Sequence, residues 1–176
     1  MKVPLSWLSE YVDLPANLSL SEIEEAFVSV GFEVEGVEEQ GSDLSGPLVV
    51  GKVLTIETVE GQKKPIRYVG LDCAEPEVRY VICGATNFGI GDLVVVSLPG
   101  AVLPGGFTIA ARQTYGHISN GMICSARELG LGEDHTGIIV LHEGIPGEDA
   151  ITLLQVNDVI FDIAVNPDRG YALSIR

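Results

Sequence analysis

Gly116-His117-Ile118-Ser119-Asn120-Gly121-Met122-Ile123-Cys124-Ser125-Ala126-Arg127-Glu128-Leu129-Gly130-Leu131 is the segment from which the architecture can be read. Gly116 and Gly121 flank a polar loop, and together with Gly84 upstream they are expected where the backbone needs positive φ or a close approach. Met122, Ile123 and Cys124 form an apolar step expected in a core. Ser119 and Asn120, polar and in a loop, are expected at the surface. Ser125 to Leu131 reads as one short helical turn ending at Gly130 and Gly132.

Outward from this segment, residues 48–141 show short apolar or alternating runs cut by Gly and Pro. Strands are expected over Leu48–Glu57, Ile66–Leu71, Glu77–Cys83, Leu93–Leu98, Phe107–Ala111 and Gly137–Leu141. Richness in Val and Ile with closely spaced turn residues predicts a small all-β barrel or sandwich. The flanks differ. Ser6–Tyr11 fits a short helix. Ser19-Leu20-Ser21-Glu22 is a capping box, in which the Ser19 hydroxyl and the Glu22 carboxylate satisfy each other's free amides. Ile23, Phe27 and Val30 then recur at helical spacing, with Gly31 as the stop. Phe32–Glu35 alternates like a strand, and Gly41–Pro47 is a connector. Asp158–Val165 reads as a strand and Asn166–Gly170 as a turn. Tyr171–Arg176 looks like the opening of a helix with nothing after it, so a truncated piece of a longer protein is expected.

The chain of 176 residues is 46% hydrophobic and 20% charged, which favours a globular fold over disorder. No stretch reaches the roughly 20 uninterrupted apolar residues of a membrane helix. No signal-peptide pattern is expected at the start, and the default compartment is the cytoplasm. Cys73, Cys83 and Cys124 lack CxxC or Cys/His spacing and read as reduced, buried residues rather than metal ligands. The net charge of −15 argues against a generic nucleic-acid binder. It is uneven: residues 41–150 hold seven Lys/Arg against 13 acids, whereas the two ends hold three against 12. Lys63, Lys64 and Arg67 form the only basic cluster.

Catalytic patterns are missing. His117 lies near Ser119 and Ser125, but no acid is placed to orient it as in a hydrolase triad. Glu133-Asp134-His135 reads as a solvated acidic turn. Gly84 and Gly89 have P-loop spacing but lead into Ile90-Gly91 instead of Lys-Ser/Thr.

The Gly116–Leu131 segment, with Ile82-Cys83-Gly84-Ala85-Thr86-Asn87 and Leu98-Pro99-Gly100-Ala101 before it, resembles the tRNA-binding OB-fold module. Three further stretches make the whole chain resemble the bacterial phenylalanyl-tRNA synthetase β-subunit family. They are Leu98–Phe107, Pro4-Leu5-Ser6-Trp7-Leu8 and Asn166-Pro167-Asp168-Arg169. The fold class this implies is α+β: an OB-fold barrel over 41–150, inserted into a small discontinuous α+β domain of residues 1–40 and 151–176.

The resemblance implies a parent α₂β₂ ligase that joins phenylalanine to its tRNA using ATP and magnesium. The aminoacylation site lies in the α subunit and the editing site beyond residue 176. This piece is therefore expected to carry no catalytic residue, metal or cofactor, and to have tRNA and the α subunit as partners, with no membrane. An OB-fold binds nucleic acid through one face, with positive charge along the backbone and stacking side chains. The residues with that chemistry are Lys63, Lys64, Arg67, Arg112 and Tyr115, joined by Ser119 and Asn120 as loop contacts. Many relatives carry His-Pro before Asp-Lys-Leu where this chain has Val59–Arg67, so those contacts do not transfer. Two other readings stand beside this one: an assembly scaffold with little RNA binding of its own, and a free-standing tRNA-binding protein that dimerises.

Overall fold

The computed structural model describes residues 1–15, 17–61 and 65–173, which divide into two compact units, 1–40 with 157–176 and 41–156. The chain opens with β1 (Lys2–Pro4), α1 (Leu5–Leu8), α2 (Leu20–Ser29) and β2 (Glu33–Gln40). It passes through the second unit as β3 (Leu48–Val59), β4 (Ile66–Asp72), β5 (Arg79–Cys83), β6 (Leu93–Ser97), β7 (Val102–Leu103) and β8 (Phe107–Thr108). The same unit continues with β9 (Arg112–Thr114), β10 (His117–Ser119), β11 (Met122–Ile123), β12 (Val140–Leu141) and α3 (Ala150–Leu153). It returns as β13 (Asp158–Ala164) and a 3₁₀ turn, Pro167–Ala172.

In the first unit, β13 is the middle strand of an antiparallel sheet in the order β1–β13–β2. The earliest and latest segments therefore pair directly, with Lys2 opposite Asp162 and Glu33 opposite Ala164. Val3, Ile23, Phe161 and Ile163 form its core, with Phe27 tilted against Phe161 at 5.5 Å. The capping box at α2 is complete: Glu22 N–H donates to Ser19 Oγ, and Ser19 N–H donates to Glu22 Oε2. That hydrogen bonding holds the Glu22 carboxyl below its ordinary pKa. Arg169 folds back over Phe32, 5.4 Å from the ring centre, and occupies the space that a Cβ at Gly31 would need.

The second unit is a nearly closed antiparallel barrel with sheet order β5–β4–β3–β6–β11. The long β3 pairs with β4 along its second half and with β6 along its first. Between the two pairings, Gly51 lies close against Val96 and the β3–β4 register shifts between Val53 and Thr55, irregularities that bend a strand. The first strand of the order approaches the last through the β10–β11 junction, where Asn120 N–H donates to Tyr80 O at 2.8 Å. A strand that pairs with the second and fourth, with the third closing on the fifth, is the connectivity of a five-stranded OB barrel.

Val69, Leu71, Val81, Val94 and Val96 are fully buried inside. Each contributes roughly 1.5–3 kcal/mol by removal from water. A second cluster, including Leu48, Val95, Cys124, Leu129, Ala150 and Val156, packs on the other side of β6. Ala150 and Val156 at the end of the second unit belong to this cluster. Asn87 joins two distant loops, donating from Nδ2 to Ile138 O and accepting the Ile138 N–H at Oδ1.

The three cysteines are free and buried. Burial pushes the thiols of Cys73 and Cys124 up to about 11, so both remain protonated at neutral pH. Among the described residues no helix is long and apolar enough to cross a membrane.

Local differences from the sequence reading have physical causes. Phe107–Ala111 supplies only the two-residue β8, after which Ile109 packs into the second cluster while its N–H donates to Ala101 O and its carbonyl accepts from Gly100 N–H. Ser125–Leu131 is a run of hydrogen-bonded turns rather than a helix, anchored where Glu128 Oε2 accepts from both Ser125 N and Ser125 Oγ. Gly116 and Gly121 have positive φ, whereas Gly84 has neither positive φ nor a close contact.

Candidate nucleic-acid interface

Alternation along β4 and β5 sends Val69, Leu71, Val81 and Cys83 into the barrel and leaves Tyr68, Gly70, Tyr80 and Ile82 on the outer face. Gly70 sits cross-strand from Tyr80, and a Cβ there would lie 3.2 Å from the Tyr80 ring. The missing side chain lets Tyr80 lie over β4 and stack on Tyr68, with ring centres 5.0 Å apart and planes inclined by 21°. His117 from β10 adds a third ring 4.4 Å from Tyr68. Tyr80 is 37% exposed, so this aromatic row is open to a ligand. Burial, with smaller contributions from Tyr80 and Glu57, pushes the Tyr68 hydroxyl above its ordinary pKa, so the ring remains neutral.

Beside the row lies the β9–β10 hairpin, paired in register with Thr114 opposite His117 and Arg112 opposite Ser119. Its two-residue tip has φ 53° at Tyr115 and 80° at Gly116, as a type I′ turn demands. Glycine accepts that conformation freely, whereas a tyrosine there is strained by roughly 1–2 kcal/mol. Tyr115 is also 47% exposed, so burial does not offset the strain. Arg112 is exposed and holds its guanidinium 5.3 Å over the Phe107 ring.

Stacked, partly exposed rings beside a guanidinium, on the outer face of the second and third barrel strands, suit a single-stranded nucleic acid. Residues 48–156 match the family model described as "Putative tRNA binding domain". The chain belongs to this tRNA-binding domain family. Over its full length it is also similar to curated phenylalanine–tRNA ligase β subunits. It is 60% identical to that of Thermobifida fusca and 58% identical to that of Streptomyces avermitilis, covering 100% of this chain and 22% of each relative. The chain thus spans about a fifth of the length of these relatives. Among solved structures, the crystal structure of the CsaA chaperone protein from Picrophilus torridus matches 57% of this chain and 87% of its own. The TM-score is 0.42 and the identity 14%.

Within this tRNA-binding domain the candidate residues separate. Arg112 and Tyr115 lie together on the exposed hairpin. Arg67 is half-buried, donates from Nη1 to Phe88 O at 3.0 Å, and lies 5.4 Å from the centre of the Phe88 ring. Lys63 and Lys64 lie outside the described residues.

Ser119, expected in a loop, is the last residue of β10 and is buried at the barrel seam. Its hydroxyl accepts from Ile82 N at 2.9 Å and donates to Gly121 O at 3.0 Å, which uses its capacity to close the barrel edge. Asn120 is half-buried, and its backbone serves the same seam, its carbonyl accepting from Arg79 Nη1 at 2.6 Å. Arg79 is in turn gripped by both carboxylate oxygens of Glu75. The sequence reading missed Tyr68, Tyr80 and His117. Their signal was present, because tyrosines at solvent-side positions of a barrel strand need a reason for exposure. Among the described residues, no group of three or more His, Cys, Asp or Glu side chains could hold a metal.

Proposed function

We propose that this chain is the N-terminal tRNA-binding module of a phenylalanine–tRNA ligase β subunit, binding RNA on the outer face of β4 and β5. The observation that carries the binding surface is the exposed Tyr68–Tyr80–His117 row beside Arg112. The full-length identity to β subunits of that ligase supports the parent. In this reading the parent attaches phenylalanine to tRNA in the cytoplasm, using ATP and magnesium, and the α subunit is the protein partner. The piece itself neither activates phenylalanine nor hydrolyses mischarged tRNA. ATP–pyrophosphate exchange by the pure chain would contradict that.

Arg112, Lys63 and Lys64 are the proposed phosphate contacts, and Tyr115 a flanking ring. Three contacts to single-stranded phosphates predict that a fourfold rise in salt weakens tRNA binding roughly 20-fold. A Lys63→Glu/Lys64→Glu/Arg112→Glu variant is expected to lose both affinity and slope in a fluorescence titration. Salt-independent binding would remove these cations from the contact.

The net charge of −15, with Glu57 directly opposite Tyr68, favours a second reading, an assembly module with weak RNA affinity. It predicts that deleting residues 1–150 from the β subunit impairs subunit association more than tRNA affinity.

A further inference from the structure

A groove of about 210 Å³ opens beside β5, lined by Ile82, Phe107, Arg112, Thr114 and Met122 with the buried Ile109. It is continuous with the tyrosine row. Ile82 is the cross-strand partner of Tyr68, and Thr114 is that of His117, whose ring contacts Tyr68. Phe107 is 46% exposed, and the Arg112 guanidinium lies over its face. Among the described residues Arg112 has no ion pair, and its donors are available to a ligand.

These features select a ligand class. Aliphatic walls and an aromatic ring favour a flat group with an apolar face. A guanidinium both stacks on such a group and donates to oxygens at its edge or on a phosphate. A base within a helix has both faces covered by its neighbours, so only an unpaired base can enter. We infer that this groove holds one unpaired nucleobase of an RNA, sandwiched between Phe107 and Arg112, while the adjacent nucleotide stacks on Tyr80 and Tyr68. The entering base displaces the guanidinium from the phenylalanine ring and takes it as the cover for its own second face. The inference rests on the RNA-binding reading and adds that one unpaired base enters the groove between Phe107 and Arg112.

The test uses the 176-residue chain and a short single-stranded RNA with one 2-aminopurine, the same sequence annealed to its complement, and whole tRNA. Binding of the single strand is expected to change the 2-aminopurine fluorescence through stacking, and the duplex is expected to bind at least tenfold more weakly. Phe107→Ala and Arg112→Gln should each weaken single-strand binding roughly tenfold or more, with circular dichroism unchanged. Arg112→Gln keeps the read-out available if Phe107→Ala perturbs the hairpin. Failure to bind tRNA at all would overturn both the RNA-binding reading and the groove. Binding of tRNA with no fluorescence change, equal affinity for the duplex, or no effect of either substitution would overturn the groove alone.

Discussion

Gly121→Ala is expected to destabilise the barrel by about 4 kcal/mol and to lower its melting temperature by roughly 10 °C. Gly121 carries φ 132°, a conformation open essentially only to glycine, and a Cβ built there would lie 2.7 Å from the Ser97 carbonyl oxygen. The neighbour is backbone of β6, held on its other edge by β3, so it cannot move aside without loosening two strand pairs. Just before Gly121 lies the seam, where Ser119 and Asn120 bond to β5, and a shift at 121 is transmitted to both. Gly116→Ala supplies the comparison. It shares positive φ but has nothing within 4 Å of the added Cβ, so only strain of about 1 kcal/mol is expected. Thermal melts of the two variants separate close approach from backbone strain. A Gly121→Ala protein melting within a few degrees of Gly116→Ala would show that the seam is not tight.

The second large effect is on binding. Tyr68→Leu/Tyr80→Leu is expected to weaken tRNA affinity by roughly fivefold to 150-fold. The basis is that each base stacked on an aromatic ring contributes roughly 1–3 kcal/mol. Leucine keeps apolar bulk on β4 and β5 but removes the flat π-face, so the loss should exceed any change in stability. The lost ring–ring contact accounts for about 1 kcal/mol of folding free energy. Tyr11→Leu is the control: Tyr11 is 58% exposed in the other unit and lies outside the proposed face. Filter-binding titrations of the two variants, with their melting curves, provide the measurement. Full tRNA affinity in a folded double variant would leave the tyrosine row as packing alone.

Much of the architecture was legible because local rules agreed with one another. Ser19 and Glu22 announced the start of α2, and the Val-rich runs at Leu48 and Leu93 became β3 and β6. The β9–β10 hairpin was not legible. Arg112–Ser119 has no apolar alternation, and its turn places Tyr115 where asparagine or aspartate is the usual signal.

The site was harder to read for a related reason. Charge clustering singled out Arg67 and loop polarity singled out Ser119, yet sequence spacing does not reveal that Arg67 donates to Phe88 O or that Ser119 Oγ accepts from Ile82 N. Arg112 and Tyr115, picked out for their chemistry, are exposed, whereas the surface between them and β4 depends on Gly70, whose role is apparent only when Tyr80 lies across it. Pairing between strands distant in sequence sets these contacts, so one-dimensional patterns do not capture them.

The most direct test of the central claim is amide chemical-shift mapping of the ¹⁵N-labelled chain titrated with tRNA. The account predicts perturbations concentrated at Tyr68, Tyr80, Ile82, Arg112 and His117, with residues 1–40 and 157–173 little changed. Perturbations confined to those flanking segments, or none at saturating tRNA, would contradict it.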